Sequence, residues 1–232
     1  MQISCKTDVG LVRGHNEDSC CIGENYAVVA DGMGGHNKGE LASQIVVDTL
    51  SEKFSVAEQM TSDVLRDAVK IANRNVYAKA ASSPECIGMG TTVVAAIWDD
   101  KKIYLGYIGD SRCYEVTKSG IKLLTKDHTL VQKLQDEGKL TETEALFYPD
   151  KHVITRAVGT EPDEVPDILE IKRRKNQWLV LCSDGLSNFV SEDEIKKCIE
   201  EFEDADKVSD ELVKMANNGG GTDNITAVVI QL

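Results

Sequence analysis

Thr91-Thr-Val-Val-Ala-Ala-Ile-Trp98, Asp99-Asp-Lys-Lys102, Ile103-Tyr-Leu-Gly-Tyr-Ile108 is the stretch from which the fold can be read. Two apolar runs rich in β-branched and aromatic residues flank a short polar turn. That is the pattern of an antiparallel hairpin, since a parallel crossover needs a dozen or more connecting residues. The first run is apolar at every position from Val93 to Trp98, so both faces of its strand are expected to be covered. Outward from the hairpin, runs of strand character recur at 26–31, 112–117, 168–172, 177–182 and 225–231. Several are joined by turns as short as Lys118-Ser-Gly120 and Arg173 to Asn176.

Helical spacing appears on either side of the strands. Leu41, Ile45, Leu50 and Phe54 form one stripe, and Leu65, Ala68, Ala72 and Val76 another. Ser191 with Glu194 makes a capping-box pattern ahead of Ile195, Cys198, Ile199 and Phe202, and a further helix is expected over Val208 to Ala216. Two helices early and two late, with strands between and around them, predict an α+β fold of four layers, α-β-β-α. Its centre is an antiparallel β-sandwich flanked by helices on both sides. No linker, repeat or low-complexity tract interrupts residues 1–232, which are read as a single domain. The polar segment at about 127–160 departs from the strand pattern and reads as a surface flap. Within it Asp127 is expected to cap a short helix carrying Leu130, Val131 and Leu134 and ending at Gly138, and Thr141 with Glu144 to open another.

A net charge of −13 argues against nucleic acid or an anionic membrane as partner, because either needs a basic footprint. No apolar run approaches the roughly 18 residues of a membrane span, and Met1-Gln-Ile-Ser-Cys5 lacks a signal-peptide pattern. The cysteines at 5, 20, 21, 86, 113, 182 and 198 show no C-x-x-C pair, so neither a zinc site nor a disulfide framework is signalled. They read as small core residues of a monomer in the reduced cytoplasm.

Four aspartates stand at strand ends beside glycine: Asp31 before Gly32, Asp110 after Gly109, Asp184 before Gly185, and Asp223 after the glycines 219–221. Any one such pair is an ordinary turn. Carboxylates brought together, however, repel and raise one another's pKa unless cations neutralise them. All-oxygen ligation selects hard ions such as Mg²⁺ or Mn²⁺, and two of these about 4 Å apart activate water as hydroxide and clamp a phosphoryl oxygen.

Arg13-Gly-His-Asn-Glu-Asp18, Asp31-Gly-Met-Gly-Gly-His36, Gly90-Thr-Thr92, Gly109-Asp-Ser-Arg112, Ser183-Asp-Gly-Leu186 and Gly220-Gly-Thr-Asp-Asn-Ile-Thr226 resemble, in order, the motif series of the PPM/PP2C family of metal-dependent Ser/Thr protein phosphatases. The form is similar to bacterial members, which reverse eukaryotic-like Ser/Thr kinases. The resemblance implies that phosphoserine and phosphothreonine proteins are substrates, a cognate kinase among the partners. It implies two tight Mg²⁺ or Mn²⁺ sites and a weaker third. Asp31 resembles the carboxylate bridging both tight metals, Gly32 a carbonyl ligand, and Asp184 and Asp223 further ligands. Asp110 resembles a ligand of the third metal, shared with Asp184. Arg13 resembles the phosphate-binding arginine, and Glu17 and Asp18 outer carboxylates acting through water. Animal members carry a proposed proton donor directly after the Asp-Gly; here Met33 stands there, and His36 is the nearest substitute.

Rival chemistries lack their residues. No cysteine is followed five residues later by arginine, no D-x-D ends a parallel strand, and no Gly-Lys-Ser/Thr follows a glycine loop. A pseudophosphatase would be expected to have lost ligands, and a scaffold would hold no metal.

Overall fold

The computed structural model describes residues 1–34 and 38–232, with Leu146 by its backbone alone. From the N-terminus its elements begin with β1 (Gln2–Asp8), β2 (Asp18–Ile22), β3 (Tyr26–Met33), α1 (Gly39–Ser55) and α2 (Ser62–Ser82). Then come β4 (Gly90–Thr91), β5 (Val93–Trp98), β6 (Lys102–Ile108), β7 (Arg112–Thr117) and β8 (Gly120–Leu123). The flap follows with α3 (Leu130–Asp136) and α4 (Glu142–Leu146). The chain closes with β9 (Asp167–Lys172), β10 (Trp178–Cys182), α5 (Asp184–Ser187), α6 (Glu192–Phe202), α7 (Ala205–Asn218) and β11 (Ile225–Gln231).

One sheet has the order β1-β11-β10-β7-β8; the other runs β2-β3-β5-β6-β9, with β4 on β3, and the pairings are antiparallel. The Thr91–Ile108 hairpin sits at the heart of the second sheet, Val93 opposite Ile108 and Trp98 opposite Ile103. Period-2 alternation divides its side chains between two cores. Val94, Ala96 and Trp98 pack with Leu179, Leu181 and Val228 between the sheets. Val93, Ala95 and Ile97 face the opposite way, onto Leu50, Phe54, Leu65 and Ala72 of α1 and α2. On the far side, α6 and α7 bury Ile195, Ile199, Val208 and Leu212 against β10 and β11. The four-layer α-β-β-α arrangement expected from the sequence is thus the one formed.

Three strands were not expected. β1, β2 and β8 are half-buried and stand at the sheet edges, so they lack the continuous apolar runs by which the central strands declare themselves. The cap of α3 also differs. Thr129 accepts the Gln132 amide, whereas Asp127 is drawn off to Arg112, whose Nη2 donates to it at 2.6 Å. A guanidinium–carboxylate fork outweighs one neutral cap bond, so the nearby threonine takes the cap. The capping boxes at Thr141–Glu144 and Ser191–Glu194 form as expected.

The cysteines require a correction as well. Cys5 on β1 and Cys20 on β2 are joined by a disulfide, while Cys86, Cys113, Cys182 and Cys198 are buried and free, and Cys21 is half-buried. The two paired residues lie on edge strands of opposite sheets, which sequence spacing gives no means of bringing together. Among the described residues, no helix is long and apolar enough to cross a membrane.

Candidate active site

Both sheets deliver acidic residues to one end of the sandwich. β3 runs on through Asp31 to Met33, and Asp31 stands directly across the ladder from Asp18 on β2. Its backbone is held from β4 and the start of β5. The Thr92 amide and the Thr91 hydroxyl donate to the Asp31 carbonyl at 2.9 and 2.8 Å, and the Asp31 amide donates to the Thr92 hydroxyl at 3.0 Å. Thr92 Oγ1 also shares a 2.7 Å hydrogen bond with Ser111, the residue after Asp110. Thr92 therefore ties the turn carrying Asp110 to the strand carrying Asp31. Gly32 packs so closely on Gly39 and Glu17 that a Cβ would collide with two backbone carbonyls.

The other sheet contributes Asp184, at the start of α5, and Asp223, just before β11. Asn224 fastens the loop that leads to β2. Its side chain accepts the Glu17 amide at 2.8 Å and donates to the carbonyls of Val9 and His15 at 3.0 and 2.8 Å. That loop places Arg13, whose Nη2 donates to Asp223 Oδ2 at 2.8 Å. Asp18 bridges the sheets from beneath: its Oδ2 accepts the hydroxyls of Ser183 and Thr226, each at 2.7 Å.

Arg13, Glu17, Asp31, Gly32, Asp110, Asp184 and Asp223 line one cavity of about 660 Å³, together with His15, His152 and Asn224. Asp18 is buried below it. His36 lies outside the described residues. A second cavity of about 640 Å³ shares Asp110, His152 and Asp184 with the first and continues under the flap, past Gln132, Gln135 and Glu142 to Glu192.

The electrostatics are those of carboxylates held together against their charge. Burial, followed by the charges of Asp18, Asp184, Asp110 and Asp223, pushes Asp31 well above the usual carboxylate range. Burial raises Asp110 to about 7, with Asp184 and Asp127 adding to it. Burial likewise raises Asp18 to about 6 against its two hydroxyl donors. Asp184 is raised by burial and then by Asp223, and Glu17 by burial and then by Glu40. A cluster of this kind calls for positive charge. Among the described residues, no three acidic, histidine or cysteine side chains enclose a single point as they stand. The cation paired with the cluster, among the described residues, is Arg13, on Asp223. Asp18 Oδ1, however, is buried with no partner among the described residues. An orphaned carboxylate oxygen costs about 1–3 kcal/mol or more unless something donates to it, and a cation's hydration water in the cavity above would do so. Hard oxygen donors, an unpartnered carboxylate oxygen and a glycine in the wall of the cleft fit divalent metal.

The resemblance had no roles for Thr92, Ser183, Asn224 and Thr226. They stood inside the quoted motifs but make no contact that sequence could reveal. His152, which lies outside the quoted motifs, lines both cavities.

The sequence profile described as Protein phosphatase 2C matches residues 14–226. The serine/threonine phosphatase stp of Listeria monocytogenes is 34% identical over 242 residues, spanning 100% of this chain and 96% of that protein. The crystal structure of the Mycobacterium tuberculosis serine/threonine phosphatase PstP/Ppp superposes with a TM-score of 0.93 at 36% identity, covering 100% of this chain and 98% of that one. A crystal structure of the PstP catalytic domain in complex with 2 manganese ions gives a TM-score of 0.89 at 36% identity, covering 98% and 96%.

Proposed function

The chain belongs to the protein phosphatase 2C family, and from that we propose that it is a metal-dependent protein serine/threonine phosphatase working at the cleft that joins the two sheets. The observation that carries this reading is the convergence of Asp31, Asp110, Asp184 and Asp223 beside Arg13, with the proton affinity of the first three raised.

Asp31, Asp184, Asp223 and the Gly32 carbonyl would hold two tightly bound Mg²⁺ or Mn²⁺ ions, and Asp110 with Asp184 a looser third. When bound, such ions acidify a coordinated water and offset charge on the phosphoryl oxygens. The chain's own residues do the rest. Glu17 and Asp18 orient waters from the floor of the cleft, Asp18 with the oxygen that Ser183 and Thr226 leave free. Arg13, released from Asp223, presents its guanidinium fork to two phosphoryl oxygens, a pairing available to substrate and transition state alike. Water displaces the serine or threonine oxygen in a single step, so no phosphoenzyme forms.

The cavity continuing beneath the flap would take residues flanking the phosphate, with segment 127–160 choosing among phosphoproteins and the whole chain acting as one catalytic domain. A Ser/Thr kinase is the natural opponent of such an enzyme, and the monomer in the cytoplasm its setting. Turnover of p-nitrophenyl phosphate and a phosphothreonine peptide, with Mn²⁺ and with chelator, tests the reading. Activity should vanish in chelator and in Asp31→Asn, Asp184→Asn and Asp223→Asn while the fold persists. One solvent oxygen should enter the phosphate. Full activity after exhaustive chelation, or a trapped phosphoenzyme, would overturn it.

A further inference from the structure

His128, at the entrance to the flap, has no part in the chemistry above, yet hydrogen bonds from three segments meet on it. Its Nδ1 accepts the amide of Gly109 at 3.1 Å, and its own amide donates to the Gly109 carbonyl at 2.9 Å. Both polar groups of the residue before Asp110 are thus held by one side chain and its backbone. Gly109 cannot be held by a side chain of its own: its φ is +104°, and a Cβ would run into Thr92. The His128 ring is 9% exposed and stacks on Tyr107, with ring centroids 5.4 Å apart and planes 24° apart.

The opposite edge of the ring is fixed from β9. Since Nδ1 accepts from Gly109, the neutral ring carries its proton on Nε2. That nitrogen is 3.5 Å from Asp167 Oδ2 and 2.9 Å from Arg156 Nη1. Arg156 Nη1 donates to Asp167 Oδ1 at 2.7 Å, which leaves the second carboxylate oxygen to face the imidazole N–H. Arg156 and Asp167 thus brace the outer edge of the ring while Nδ1 receives Gly109.

The third segment is the neck of the flap. Thr155 donates both its amide, at 2.8 Å, and its hydroxyl, at 3.0 Å, to the His128 carbonyl. The next rungs are Leu130 N–H to the Val153 carbonyl at 2.8 Å and the bridge between Thr129 and Ile154. A histidine that merely filled space would need its ring nitrogens satisfied and nothing more. This one joins the turn that ends in Asp110 to both strands by which the flap leaves and re-enters the sandwich.

We propose that His128 is a positioning residue, a clamp that sets the Gly109–Asp110 turn and the neck of the flap as one unit, so that the Asp110 carboxylate is aimed only when the flap is seated. The part of this that concerns metal rests on the reading of Asp110 as a cation ligand.

The test compares the full chain with its His128→Leu, His128→Asn and Asp110→Ala variants. Asparagine places an oxygen where Nδ1 stood and should keep the Gly109 bond; leucine cannot. In chelator, amide exchange at Gly109 should quicken about tenfold in His128→Leu, the equivalent of one net hydrogen bond, and stay near the parent rate in His128→Asn. Calorimetric titration with Mn²⁺ should show the weakest binding event loosened about tenfold in His128→Leu, lost in Asp110→Ala and intact in His128→Asn, with tighter events unchanged. Unaltered Gly109 exchange in His128→Leu, or an asparagine variant as loose as the leucine one, would overturn the clamp. If Asp110→Ala loses the weak event and His128→Leu keeps it at parent affinity, the clamp does not aim Asp110. If Asp110→Ala binds Mn²⁺ as the parent does, the ligand reading falls, and Gly109 exchange still decides the clamp. Should His128→Leu fail to fold, Thr155→Val removes the hydroxyl that the neck of the flap donates to the His128 carbonyl. It should quicken Gly109 exchange about threefold, and parent-like exchange would refute the proposal.

Discussion

Asp110 is where the electrostatic reading of the cleft can be measured most directly, because its charge is costly to the metal-free protein. Burial, with Asp184 and Asp127, lifts its carboxyl from 3.8 to about 7 in the fold. The folded state therefore holds the proton more tightly than the unfolded chain. Stability falls as pH rises from about 4 to about 7, and the loss is complete above that. At about 1.4 kcal/mol per pH unit, that gap amounts to about 4 kcal/mol at pH 8 and under about 2 kcal/mol at pH 5. Asp110→Asn keeps the shape and removes the charge. Urea denaturation in chelator should find the variant about 3–4 kcal/mol more stable than the parent at pH 8, with the advantage at least halved at pH 5. Saturating Mn²⁺ should narrow the pH 8 gap, because the cation then supplies the compensation that asparagine made unnecessary. A variant less stable than its parent at pH 8 in chelator, or a gap indifferent to pH, would refute the claim that Asp110 is a buried, uncompensated carboxylate.

Three further outcomes follow from the geometry. Thr92→Val removes the hydroxyl that receives the Asp31 amide and pairs with Ser111; it should cost about 1–3 kcal/mol in urea denaturation and lower turnover, whereas Thr92→Ser should restore both. Arg13→Ala should raise KM for p-nitrophenyl phosphate by about tenfold or more and weaken inhibition by free phosphate, with kcat changed less, because the fork binds ground and transition states alike; an unchanged KM would return Arg13 to a partner of Asp223 alone. Substitutions at the exposed flap residues Glu142 and Phe147 should alter phosphopeptide kcat/KM several-fold and leave the small ester nearly alone; equal losses on both would mean that the flap supports the metal site.

The sequence by itself determined the layers and picked out the acidic residues of the cleft. Unbroken apolar runs such as Val93–Trp98 and period-3.6 stripes such as Leu65–Val76 are local properties of the chain, and each states which faces must be buried. Aspartates beside glycine at strand ends are equally local, so Asp31, Asp110, Asp184 and Asp223 could be picked out and now line one cavity. Only the tertiary structure decided what holds them there. Edge strands β1 and β2 carry too few apolar residues to announce themselves; their stacking joins Cys5 to Cys20, and the pairing of β2 with β3 sets Asp18 across from Asp31. Asp127 looked like a helix cap until Arg112 came within reach of it across 15 residues of chain. Thr92, Asn224 and His128 are polar residues whose partners lie 61, 207 and 19 positions away. A hydrogen bond between such distant groups leaves no periodicity in the sequence; it exists only once two sheets have packed and left those atoms no water to turn to.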